Sequence, residues 1–124
     1  MILGTSRAVR VYAYPEPVDL RKGYDGLYGL VKIGLGRDPL GGDLYLFVSR
    51  TRKGCKVLFW DGTGLCLFAK RLERGRFATL WRAKPAAVVR LTASELALFI
   101  EGCDFVGRRS LSPEPVVPGP VGGI

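Results

Sequence analysis

The chain has 124 residues, 48% hydrophobic and 24% charged, with a formal net charge of +8. That length is one domain with a core of its own; no run reaches the ~18 apolar residues of a membrane span, and no basic-then-apolar leader opens the chain, so a cytoplasmic protein is expected. Histidine is absent, and Cys55, Cys66 and Cys103 lack C-x-x-C spacing, which removes the usual zinc patterns and histidine-based catalysis.

The charge is unevenly placed. Residues 1–43 balance at +1, residues 44–90 carry +9, and residues 91–124 carry −2. A basic excess confined to one segment is the footprint of a polyanion partner. The plain alternative is a solvated basic surface.

Val9 to Tyr14 (VRVYAY) alternates and is rich in β-branched and aromatic residues, the pattern of a strand that Pro15 and Pro17 end. Asp19 is placed to cap a helix with Leu20, Tyr24, Leu27 and Val31 on one face. Gly23, Gly26 and Gly29 each weaken such a helix by about 1 kcal/mol relative to Ala, so it must lean on tertiary packing or let another backbone approach. Gly34 to Gly42 (GLGRDPLGG) reads as a connector. It lacks the G-x-x-x-x-G-K-[ST] pattern of a phosphate loop.

A β-meander follows. Leu44–Val48 is a continuous apolar run, as in a strand buried on both faces. Arg50 to Gly54 turns the chain, Val57–Trp60 returns, Asp61 to Gly64 turns it again, and Leu65–Leu72 forms the third strand. Glu73-Arg74-Gly75 is a further turn, and Phe77–Trp81 a candidate fourth strand beside the third. Connections this short make neighbouring strands antiparallel. If the Asp61–Gly64 turn closes a hairpin, Cys66 faces Phe59 and Cys55 faces Lys70. The two sulfurs are then about 13 Å apart along the strands, too far for a disulfide, and both read as small buried hydrophobes.

After Pro85, Ala87–Leu91 offers one more short strand. Thr92-Ala93-Ser94-Glu95 is a capping box, after which Leu96, Phe99, Ile100 and Cys103 line one helical face and Gly102 marks the stop. The tail from about Arg109 holds four of the eight prolines and is expected to be disordered or extended. The sum is an α+β fold: a single domain over residues 1–106, an antiparallel sheet of about five strands with two helices, then a Pro/Gly-rich tail over 107–124.

Four stretches in this order, DLRKGYDGL (19–27), LGRDPLGGDLYLF (35–47), KVLFWDGTGLCLFAKRLERGRF (56–77) and LTASELALFIEGCDF (91–105), resemble one family: the small TnpB accessory protein of insertion-sequence 66 elements, unrelated to the RNA-guided nuclease that shares the gene name. WDGTGLCLFAKRLERGRF is the most specific string. The resemblance implies a role in DNA transposition without catalytic residues. Its implied partners are element-end DNA, the larger element-encoded transposase that carries the chemistry, and another accessory protein.

The candidate site follows from the meander. Arg50, Arg52, Lys53 and Lys56 surround its first turn, and Lys70, Arg71, Arg74 and Arg76 its third. An up-down-up meander places both turns at one end of the sheet, where clustered cations neutralise phosphates. Arg21 and Lys22 form a smaller pair at the start of the first helix, where an Asp19 cap would align a helix dipole with phosphate. Tyr45, Phe47, Phe59, Trp60, Phe68, Phe77 and Trp81 interleave with these cations and could stack on bases, although such residues more often form core. The rival reading is an adaptor that touches the transposase and not DNA, through exposed aromatics or the Pro-rich tail. A nuclease would need clustered carboxylates. Of the available acids, which include Asp43 and Glu73, Asp19, Asp61, Glu95 and Asp38 each have a structural task, and Asp25 is the one mid-helix acid without an assignment, with Arg21 as its candidate pair. No cofactor or metal is expected.

Overall fold

The computed structural model of the protein describes residues 9–81 and 88–102. β1 (Val11–Ala13) sits inside the predicted strand and is buried throughout. The chain then makes a short helix, α1 (Tyr24–Gly29), which widens into a π-helical stretch over Leu30–Gly34. β2 (Leu44–Val48), β3 (Gly54–Trp60) and β4 (Leu65–Arg71) form the meander. β5 (Val89–Leu91) and α2 (Ala93–Ile100) complete the described chain.

The strands form a five-stranded sheet in the order β4-β3-β2-β1-β5. Its meander is antiparallel in the expected register, with Phe59 opposite Cys66 and Cys55 opposite Lys70. Cys55 and Cys66 are both free. Burial pushes the Cys55 thiol up to about 12, so it behaves as a hydrophobe.

Two expectations change. The sheet is mixed rather than antiparallel throughout, because β1 runs parallel to β2, with Val11 beside Leu44. Parallel neighbours need a long crossover, and the segment carrying α1 supplies it. The expected fourth meander strand, Phe77–Trp81, is irregular chain. It does not pair beside β4; the fifth strand is β5, which pairs antiparallel with β1 at the other edge.

The reason is burial on both sheet faces. On one face Tyr12, Tyr45, Phe47 and Leu58 pack against Leu27 and Val31 of the crossover. On the other, Val11, Leu46, Val57 and Phe59 need a second cover, which Phe77, Leu80, Leu96 and Phe99 provide. Phe77 and Phe99 stack at 4.9 Å between ring centroids, so residues 77–81 serve as lid rather than strand. The segment is held where it leaves the turn: Phe77 N–H donates to the Arg52 carbonyl at 2.7 Å, and the Arg52 guanidinium donates to the Phe77 carbonyl at 3.0 Å. Arg52 pairs in this way from a left-handed backbone, φ 62°, a conformation uncommon outside glycine.

The first helix also starts later than predicted. Asp19 does not cap it; its carboxylate accepts from the Arg21 backbone and guanidinium, the latter at 2.8 Å. Gly23 stands at the N-cap with no side-chain cap. Arg21 is therefore committed to Asp19 and does not pair with Asp25. Gly23 and Gly29 face open space, a Cβ on Gly26 would lie 3.0 Å from the Lys22 side chain, and the tightest approach is at Gly34, where a Cβ would collide with the Tyr14 hydroxyl.

α2 follows the predicted signals. The Thr92 hydroxyl accepts from Glu95 N–H at 3.0 Å, the Glu95 carboxylate accepts from Thr92 N–H at 2.8 Å, and Gly102 turns left-handed at φ 75° past the end. Cys103 and the tail over 107–124 lie outside the described residues. No helix among the described residues is long and apolar enough to cross a membrane.

Thr92→Ala removes a hydroxyl that satisfies an otherwise orphaned helix N–H and should cost about 1 kcal/mol in urea unfolding. Arg52→Ala should cost about 1–2 kcal/mol through the unsatisfied Phe77 carbonyl, whereas Arg74→Ala, at an exposed turn, should stay within about 0.5 kcal/mol.

Candidate nucleic-acid interface

The two basic turns meet. Leu72 N–H, just past β4, donates to the Lys53 carbonyl at 2.8 Å, and Phe77 bonds Arg52 across the same gap. The turn after β2 and the turn after β4 thus form one continuous end of the sheet. The first of them is closed locally by Ser49: its hydroxyl accepts from Gly54 N–H at 3.2 Å, and its carbonyl accepts from Arg52 N–H at 2.9 Å.

The cations gathered there divide into two kinds. Arg52 holds Phe77. Lys70 Nζ donates to the Ile100 carbonyl at 2.8 Å, which satisfies the C-terminal end of α2. Lys56 Nζ donates to the Lys22 carbonyl at 3.1 Å and ties β3 to the segment before α1. Each is half-buried and spends a donor on a backbone carbonyl. Arg50, Lys53, Arg71, Arg74 and Arg76 are exposed, and their side chains have no ion pair or hydrogen bond among the described residues.

Arg21 and Lys22 lie beside this end, since the Lys22 carbonyl receives Lys56. Arg21 is exposed but its charge is matched by Asp19, whose carboxyl the Arg21 hydrogen bonds hold well below the usual range. The expected helix dipole does not reach this pair, because α1 begins only at Tyr24.

Most of the interleaved aromatics are core. Tyr45, Phe47, Phe59 and Phe77 are buried, and Trp60 and Trp81 are half-buried. Phe68, 40% exposed, is the accessible member of that set. Among the acids, Asp61 accepts from Thr63 and Gly64 N–H at 2.9 and 3.0 Å, and these bonds lower its carboxyl pKa. No group of three or more metal-ligating side chains comes together among the described residues.

A second basic cluster escaped the sequence reading. Arg37 lies 4.1 Å from the Tyr12 ring centroid and Arg90 lies 5.6 Å from the same ring, which stacks on Tyr45 at 5.7 Å. Arg37 also approaches the buried Asp43 at 3.8 Å. Arg37 and Arg90 are 53 positions apart in the chain; only the β5–β1–β2 pairing unites them, so no local signal announced the cluster.

A scan against family models matches residues 9–110 to the IS66 Orf2-like protein family. Among curated proteins of Sinorhizobium fredii (strain NBRC 101917 / NGR234), the uncharacterized protein y4jC is 32% identical over 104 residues, covering 84% of this chain and 87% of its own length. The uncharacterized protein y4hO is 34% identical over 104 residues, covering 84% of this chain and 89% of its own. No solved structure matches the chain. Alignments of that extent span nearly every element described above, and the chain belongs to the IS66 Orf2-like family, whose members take part in insertion-sequence transposition.

Proposed function

We propose that this protein is a non-catalytic accessory factor of transposition that grips the DNA backbone with the joined basic end of its sheet. The observation that carries the reading is the set of exposed cations Arg50, Lys53, Arg71, Arg74 and Arg76, unpaired among the described residues, around two turns that hydrogen bond to each other. Exposed guanidinium and ammonium groups held on short, tied turns contact phosphate oxygens with little ordering cost. Lys22 extends the patch, and Arg52, Lys56, Lys70 and Arg21 contribute field rather than free donors.

The contacts would be to phosphates rather than to base edges. α1 and α2 pack on the sheet faces through Leu27 and through Leu96 and Phe99, and the buried aromatics are not available for stacking. Affinity should therefore depend steeply on salt and only weakly on sequence. Recognition of element ends would then come through the transposase or the other accessory protein, with this chain adding backbone affinity.

Binding of a labelled duplex should be measurable at low salt and fall as salt rises. Each of Arg50, Lys53, Arg71, Arg74 and Arg76 that touches a phosphate adds about 0.9 to the slope of log K against log salt. Arg74→Ala should lower that slope by about 1, and neutralising all five should reduce low-salt affinity roughly 100-fold or more with the fold intact. Absence of binding at low salt, or binding indifferent to neutralising the five, would overturn the reading. Transposase co-purification that survives nuclease and high salt would then support the adaptor role.

A further inference from the structure

We infer that β4 is a self-pairing edge: two copies of this protein join antiparallel through β4, with Phe68 on the two-fold axis, into one continuous sheet. The inference stands apart from DNA binding and rests on the hydrogen-bond phase of the edge strand.

β4 pairs with β3 at every position from Leu65 to Arg71 without a bulge, and it contains no proline. The flanking bonds set the phase of this ladder. Leu72 N–H donates to Lys53 and Asp61 N–H donates to Gly64, so hydrogen-bonded pairs alternate from these ends. Cys66, Phe68 and Lys70 therefore turn their backbone groups inward to β3. Leu65, Leu67, Ala69 and Arg71 turn theirs outward, to an edge that β4's terminal place in the sheet leaves without a neighbouring strand among the described residues. Residues 77–81, the segment expected to cover that edge, instead pack on the sheet face.

A second copy fits this edge in a register that satisfies several constraints together. With Phe68 opposite its own counterpart, Leu65 meets Arg71 and Leu67 meets Ala69, so every outward residue faces an outward residue. Any register one residue away would set outward groups against inward ones. The 40% exposed Phe68 rings then meet across a non-hydrogen-bonded pair, the closest cross-strand contact in an antiparallel sheet. Charges also fit. Lys70 and Arg71 face Cys66 and Leu65 of the copy rather than each other, and the turn carrying Asp61 falls beside the copy's Arg71 and Arg74. Exposed edge strands are usually blunted by a bulge, a proline, shortness or charge; β4 has no bulge or proline and runs seven residues, and its charges, Lys70 and Arg71, sit together at its C-terminal end.

Four experiments test it. Sedimentation velocity of the full chain should show a concentration-dependent monomer–dimer equilibrium; a monomer at the highest attainable concentration overturns the inference. Ala69→Pro removes an outward N–H that the β3 ladder does not use, so it should give a monomer with unchanged circular dichroism; a dimer that persists overturns the register.

Phe68→Cys should form a disulfide-linked dimer under diamide beyond any seen with wild type, since the paired Cα atoms lie about 4.5 Å apart. Ala69→Cys, offset from its own counterpart, should not; the reverse pattern sinks the model. Amide exchange separates the other occupants. The N–H groups of Leu65, Leu67, Ala69 and Arg71 should be protected in concentrated samples and lose protection on dilution. Protection in a monomer would mean that the chain's own segment covers the edge, and no protection at any concentration would mean that a foreign strand or solvent does; either result defeats the proposal.

Discussion

Burial of the sheet on both faces is the constraint from which the rest follows. Every residue of β2 is buried, which a strand achieves only at the centre of a sheet covered above and below. One cover is the crossover carrying α1; the other is α2 with the Phe77–Leu80 segment. The parallel placement of β1 beside β2 is a consequence, because a connection that crosses one face returns the chain in the same direction. So is the conversion of residues 77–81 from strand to lid: their apolar side chains are worth more stacked on Phe99 than alternating along an edge, where one side would face water.

That second cover needs anchoring, and the basic residues supply the anchors. Arg52 locks the start of the lid segment, Lys70 satisfies the C-terminal carbonyl of α2, and Lys56 fastens the segment before α1 to β3. In each case a long cationic side chain lays its stem along the fold and spends its head on a carbonyl. The charge density of residues 44–90 is thus partly architectural, and the surface left for a partner is the narrower set of Arg50, Lys53, Arg71, Arg74 and Arg76. Under the proposed function that set meets the phosphate backbone, and it stands at one end of the sheet because both faces of the sheet's centre are covered.

Among the described residues the same lid leaves the outer side of β4 without a strand. A protein of this size has few ways to hide an edge, and this one gives its spare apolar segment to the face instead.

Local signals were legible wherever a short stretch decides the outcome. The capping box at Thr92 and Glu95, the turn at Asp61 and the meander register that sets Cys66 against Phe59 all depend on neighbours a few positions away. So did the meeting of the two basic turns, because hairpin connections dictate antiparallel neighbours. What sequence could not decide were matters of competition between distant partners. Asp19 bonds Arg21 rather than capping a helix. Phe77 prefers Phe99 to an edge position. Arg52 adopts a left-handed backbone because Phe77, far along the chain, bonds it twice, and Arg37 and Arg90 converge on Tyr12 only through the β5–β1–β2 order. The amino-acid sequence alone determined the meander, its charge and its family strings, whereas tertiary packing decided which cations are free and which edge is open, since both depend on what covers the sheet.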